Sequence, residues 1–197
     1  MKIAVLGSGS WATALAKIVM NNADDISWYI RKQETIDDFM ENRRNPNHLE
    51  WAYFDTNKIH FSSDINEVLD LSNTIILAIP SPYIQQTLDE INIDISNKYI
   101  ISAVKGMIPN ENLLVTDYIH ERFGVPNDHI GVIAGPCHAE EIALERMSYL
   151  TIGCTNREQA MIWSRLLTTK YVHVTPSDDV IGLEYSSVMK NIYAIAA

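Results

Sequence analysis

Gly7, Gly9 and Ala12 stand at the spacing with which a backbone wraps a pyrophosphate, and two lysines further along, Lys105 and Lys190, are placed to deliver positive charge or a proton. The first glycine of such a turn permits a tight change of direction. The second lets the backbone approach the phosphates, and the small residue at Ala12 lets helix and strand pack closely. Ser8, Ser10 and Trp11 fill the gaps. Ile3 to Leu6, before the turn, is a short apolar run of the kind buried on both faces of a parallel sheet. After it, Ala14, Leu15, Ile18 and Val19 mark one face of a helix whose unpaired N–H groups and positive dipole end point at the phosphates. A glycine pattern alone is weak, but the strand before it and the amphipathic helix after it favour a nucleotide site over a plain turn.

The second strand, Ile26 to Ile30, is expected to end at the adenosine ribose, where an acidic residue about 20 positions beyond the glycines binds the 2′-hydroxyl of NAD. Arg31 and Lys32 stand there instead. A guanidinium offers a planar fork to phosphate oxygens, so the pair favours NADP(H), or at least admits it beside NAD(H); read as plain surface cations, they need no ligand. Lys105 follows a strand end and precedes Gly106, which lets a ligand or another backbone come near, although a loop lysine by itself is commonly solvated. Lys190 and Asn191 interrupt an apolar helical stripe of Val180, Leu183, Val188, Ile192 and Ile195. A lysine on such a largely buried helix is paired, lowers its pKa as a general acid or base requires, lines a cavity, or snorkels to water.

Other groups carry less. Cys137 beside His138 suggests a nucleophilic dyad only weakly, because such partners are set by spatial geometry and an orienting third group. Cys154 reads as core, and Glu140 with Glu141 as helix first-turn charges. The six histidines show no ligand spacing, His173 falls in register with core residues, and no metal site is expected.

These groups must be positioned by alternating elements. Further strands are expected at Lys58 to Phe61, Thr74 to Ile79, Tyr99 to Val104, His129 to Ala134, Tyr149 to Cys154 and Tyr171 to Val174. Asp64 with Glu67, and Thr155 with Glu158, read as capping-box helix starts, and Gly124 as a helix end. Repeated βα units imply an α/β fold, Rossmann-like and doubly wound, with a mainly parallel sheet and ligands at the carboxyl ends of its strands. Asp37 to Asn57 is the irregular insert; within it Asn45 to His48 read as loop, bordering the cofactor or simply lying on the surface. With 47% hydrophobic residues the chain has ample core material, and no run approaches the ~20 apolar residues of a membrane span. A net charge of −10 argues against nucleic acid as a partner but not against an anionic small ligand in a locally positive cleft. Two cysteines are too few for a disulfide framework, no signal peptide is expected, and the expected location is cytoplasmic.

The ordered segments GSGSWATALA from Gly7, the basic end of the second strand, AIPS at Ala78 to Ser81, VKG at Val104 to Gly106, AGPCHAEE at Ala134 to Glu141 and GLEYSSVMKNIYAIAA at Gly182 to Ala197 resemble the soluble NAD(P)-dependent glycerol-3-phosphate dehydrogenases of bacterial type. The resemblance spans nearly the whole chain. It implies interconversion of dihydroxyacetone phosphate, a small phosphorylated triose, and sn-glycerol 3-phosphate, chiefly toward the latter for phospholipid synthesis. It also implies a dinucleotide-binding domain over residues 1–176, with 177–197 as the first helix of an all-α substrate domain whose remainder is absent here. Ser10, Trp11, Arg31, Lys32 and Ala139 are then expected at the dinucleotide, and Lys105 at both cofactor and substrate. Gly135 and Cys137 border the substrate, Lys190 transfers the proton, and Asn191 holds substrate or orients that lysine. Cys137 stands where the family usually has a hydroxyl, and a thiol is a poorer donor. Without the remainder, cofactor binding with little turnover is expected, and the exposed apolar helix is expected to invite self-association, a homodimer included. Related two-domain reductases of the 6-phosphogluconate or ketopantoate type, a non-catalytic dinucleotide-binding or sensing module, and a structural interaction domain without ligand are the competing readings.

Overall fold

Strand and helix alternate from the first residues: β1 (Ile3–Leu6), α1 (Ser10–Val19), β2 (Ile26–Tyr29), α2 (Gln33–Asn42), β3 (Ile59–Ser62), α3 (Ile65–Asp70), β4 (Thr74–Leu77) and α4 (Ser81–Leu88). The second half continues with β5 (Tyr99–Ser102), α5 (Val115–Phe123), β6 (Ile130–Ala134), α6 (Ala139–Ala143), β7 (Ser148–Cys154), α7 (Arg157–Leu167), β8 (Val172–Ser177) and α8 (Val180–Ala196). The computed structural model describes residues 1–109 and 111–196, without the side chains of Asn191, Ile192 and Ala194.

All eight strands join one sheet in the order β3-β2-β1-β4-β5-β6-β7-β8, parallel throughout except between β6 and β7. Because side chains alternate across a strand, β1 feeds two cores: Ile3 and Val5 pack on one face with α1, α6 and α7, while Ala4 and Leu6 pack on the other with α3, α4 and α5. The chain runs outward from β1 through β2 to β3, then returns to the far side of β1 as β4. That reversal opens a crevice at the carboxyl ends of β1 and β4.

Most expected strands are present with ends shifted by one to three residues. β8 runs further, through Pro176 to Ser177, because it is the outer strand of the sheet and a missing N–H costs little there. Asp37–Asn42 is not irregular: it is the second half of α2, whose Phe39 joins Trp28, Phe54 and Phe61 in an aromatic cluster. Asp64 caps α3 as expected, but Glu67 turns away from the reciprocal bond to Ser62 and His60. The other box starts one residue later than expected. Asn156 is the cap of α7, its side chain accepting from Glu158 N–H and Gln159 N–H, while the Thr155 hydroxyl bonds Asn127. Gly124 ends α5 in the left-handed conformation. His173 is exposed on β8, stacked on Tyr149, rather than in register with the core.

The stripe on α8 also differs. Val180 is buried, but Ile195 is 88% exposed, and among the described side chains of the helix the most deeply buried is Glu184, 1% exposed. Its Oε1 accepts the Val115 and Thr116 N–H groups at 2.9 and 3.2 Å, and its Oε2 accepts the Thr116 hydroxyl at 2.5 Å. A carboxylate from α8 thus caps the first turn of α5 and offsets that helix's positive end, although burial on balance pushes its pKa up. Glu184→Ala leaves two N–H groups buried without a partner, and chemical denaturation is expected to show a loss of about 2–4 kcal/mol, with Glu184→Gln losing less.

Candidate functional site at the carboxyl edge of the sheet

The glycine turn lies in the crevice. Gly7 has φ +120°, and a Cβ there would fall 2.5 Å from the Ala78 carbonyl oxygen at the end of β4. Its N–H donates to Tyr29 O at 3.2 Å and its own carbonyl accepts Trp28 Nε1–H at 2.7 Å, so β2 grips the turn from the side. Gly9 differs: its φ of −75° suits any residue, and a Cβ would meet no protein atom within 4 Å. Gly9 is the N-cap of α1 without a side-chain cap, Ser10 and Trp11 open the helix, and Ala12 is fully buried against the sheet. Among the described residues the N–H groups of Gly9, Ser10 and Trp11 have no protein partner.

Two clefts meet at Trp11 and Lys105. One, of about 330 Å³, runs between the glycine turn and Ala78 to Pro82; the other, of about 270 Å³, is bounded by Gly135, Pro136, Ser186, Ser187 and Lys190. A larger cavity, about 400 Å³, lies at the opposite edge beside Lys2, Ile26 and Ile59 and holds none of the expected site residues. The Lys105 Nζ stands 4.9 Å from the centroid of the Trp11 ring. Partial burial, and then the charge of Lys190, lower the Lys105 pKa. Lys190 is exposed on α8 rather than set in a buried face, so the cavity-lining option is the one realised. The Trp11 Nε1 is buried and unpartnered among the described residues.

Gly135, with φ +155°, holds its strand end tight against β7, where a Cβ would fall 2.6 Å from Tyr149 O. Cys137 follows Pro136 but lines neither cleft and is 2% exposed; burial pushes its thiol pKa up, and the charges of Lys105 and Lys190 only partly oppose this. Ala139 is buried at the start of α6, where Glu140 and Glu141 occupy the first turn. Arg31 and Lys32 are exposed at the end of β2 and line neither cleft. The Asn191 side chain lies outside the described residues. Among those residues, no cluster of three His, Cys, Asp or Glu can hold a metal, and no helix is long and apolar enough to cross a membrane.

Two further contacts come from the loop after α2. His48 Nδ1 lies 3.1 Å from the Ser10 hydroxyl, and Asn45, fully buried, reaches Ser8 O. Of the two readings of Asn45 to His48, bordering the cofactor or lying on the surface, the contacts with Ser8 and Ser10 favour the first, but the local pattern of a polar loop does not single out these two side chains. Glu184 did leave a signal, since it falls four residues from both Val180 and Val188, on the packed side of the helix.

A family model described as NAD-dependent glycerol-3-phosphate dehydrogenase N-terminus matches residues 2–160. The chain belongs to this family. The glycerol-3-phosphate dehydrogenase [NAD(P)+] of an Exiguobacterium species is 32% identical over 99% of this chain, and that of Oceanobacillus iheyensis is 31% identical over all of it. The chain spans 58% and 57% of their lengths. A solved glycerol-3-phosphate dehydrogenase of Plasmodium falciparum superposes on the whole chain with a TM-score of 0.88 at 28% identity, the chain covering 57% of it. GDP-mannose dehydrogenase from Pseudomonas aeruginosa, at 13% identity and TM-score 0.76, shares the fold.

A raised pKa favours the neutral thiol, so Cys137 is not a poised nucleophile beside His138. Native-state alkylation with iodoacetamide, read by mass spectrometry, is expected to be much slower at Cys137 than at a free thiol at pH 7.5, and its rate to go on rising with pH after that of the free thiol has levelled off. Rapid modification at neutral pH would show an activated thiolate.

Proposed function

We propose that this chain is the dinucleotide-binding part of an oxidoreductase that interconverts dihydroxyacetone phosphate and sn-glycerol 3-phosphate, providing the latter for glycerophospholipid synthesis. The observation that carries the reading is the meeting of an uncapped helix start at Gly9 to Trp11 with a cleft bounded by both Lys105 and Lys190. A dinucleotide fits what is there: a side chain at position 9 would fill the space before α1, and the unpaired N–H groups and positive helix end suit a pyrophosphate. Ser10, Trp11 and Ala139 border the dinucleotide in this reading, with Arg31 and Lys32 at the 2′-phosphate of NADP(H), while NAD(H) binds without that contact. Residues 1–176 form the dinucleotide-binding domain, and α8 begins the substrate domain.

The bound nicotinamide supplies a hydride to the carbonyl carbon of the substrate. Lys190 donates a proton to the oxygen that gains charge, and accepts it in the reverse direction. Lys105 holds positive charge beside that oxygen. Both ammonium groups border one cleft, and the charge of Lys190 contributes to lowering the Lys105 pKa. Gly135 and Cys137 border the substrate in this reading, and Asn191 is assigned to the same end. Because the chain spans less than three fifths of its relatives, these 197 residues alone are expected to bind cofactor with little turnover. Two buried, unpaired cysteines suit a cytoplasmic location, and exposed Ile181, Tyr185 and Tyr193 on α8 support self-association, a homodimer included.

Titration with NADPH and NADH, followed by ligand fluorescence, tests this directly. Arg31→Ala is expected to weaken NADPH about tenfold and leave NADH little changed. Binding of neither dinucleotide overturns the reading. Robust turnover of dihydroxyacetone phosphate by the 197-residue chain contradicts the assignment of low activity.

A further inference from the structure

Asn45 lies on a loop, yet it is fully buried and every polar atom of its amide is committed. Its Nδ2 donates to Ser8 O at 2.9 Å and to Thr13 Oγ1 at 2.8 Å, while its Oδ1 accepts the Asn47 N–H at 3.0 Å. Only one orientation of the amide satisfies all three, because a backbone N–H can only donate. Thr13 passes the arrangement on: its hydroxyl accepts from Asn45 and donates to Gly9 O at 2.9 Å.

The Ser8 carbonyl is therefore held toward the protein by the Asn45 amide, and the Gly9 carbonyl by the Thr13 hydroxyl together with the Thr13 N–H, which donates to it at 3.0 Å as the first bond of α1. In a planar trans peptide, the carbonyl of one residue and the N–H of the next point in opposite directions. Holding Ser8 O inward turns the Gly9 N–H outward, and holding Gly9 O inward does the same for Ser10. Those are N–H groups without a protein partner among the described residues. If either peptide flipped, a carbonyl oxygen would face an incoming anion, which reverses the sign of the interaction.

We propose that Asn45 is a positioning residue for pyrophosphate binding: acting through Ser8 and Thr13, it fixes the peptide planes that present the Gly9 and Ser10 N–H groups. The inference rests on the dinucleotide reading given above. It assigns a purpose to the loop after α2, which touches the phosphate turn and leaves the two lysines alone. Asn45→Ala removes the relay at its source. Thr13→Val keeps side-chain volume, removes the two bonds of the Thr13 hydroxyl and leaves the Asn45 bond to Ser8 O, so one variant guards against misfolding of the other.

The experiment measures NADPH affinity, and by competition the affinity for adenosine 2′-monophosphate, which has the 2′-phosphate end and no pyrophosphate, on wild type and both variants. Asn45→Ala is expected to weaken NADPH about tenfold, and Thr13→Val less because the Thr13 N–H still holds Gly9 O, while adenosine 2′-monophosphate binds as before. Unchanged NADPH affinity in both variants overturns the inference. So does parallel weakening of the two ligands, which marks general loosening of the fold. If wild type binds neither NADPH nor NADH, the dinucleotide reading itself fails and takes this inference with it.

Discussion

The carbonyl of Ala78 leaves no room for a side chain at position 7, and the crevice of this protein depends on that exclusion. β1 and β4 are neighbours in the sheet, so whatever follows β1 must turn away from the end of β4 at once or collide with it. A residue with φ near +120° makes that turn, and glycine is the one that does so without strain. The turn then delivers α1 with its N-terminus over the strand ends, and α1 carries Trp11 to the junction of the two clefts. Remove the constraint and Trp11 has no reason to lie beneath the Lys105 ammonium.

The remaining contacts stiffen what this turn begins. Trp28 on β2 takes the Gly7 carbonyl, and its ring packs with Phe39, Phe54 and Phe61 from three different segments. The loop after α2 is therefore anchored by aromatic packing on one side and by the Asn45 amide on the other. Its irregular path is compatible with rigidity because its polar atoms are paired where they are buried.

Much of this was legible in the sequence, for reasons that differ by residue. Gly7, Gly9 and Ala12 could be read because their demands are local: a turn, a space and a close helix–strand contact, all within six residues. Lys105 and Gly135 could be read because they follow apolar runs, and in a parallel sheet strand ends share one edge. The strands themselves showed as buried runs, since both faces are covered. Asn45 could not be read in this way. Its partners Ser8 and Thr13 lie more than thirty positions away, and a buried asparagine in a polar loop looks like a solvated one. The edge position of β8 was equally invisible, so the strand was read as ending at Val174 when it continues through Pro176 to Ser177. On α8, counting apolar positions pointed to Ile195 and passed over Glu184, because the pattern records where hydrophobic residues recur and not which polar residue finds partners across the fold.

Glu184 also gives α8 the mechanics of a lever. Besides the packing of Val180 at its start, the helix is tied to α5 through Glu184, and Lys190, the proposed proton donor, follows six residues further on, about 9 Å along the axis at the rise of an α-helix. A tilt of about 6° at that tie would move the backbone of Lys190 by about 1 Å, a misplacement that can cost a reaction about 100-fold. In the proposed reaction, the accuracy with which Lys190 would deliver a proton thus depends on the stiffness of the three hydrogen bonds that Glu184 makes to α5.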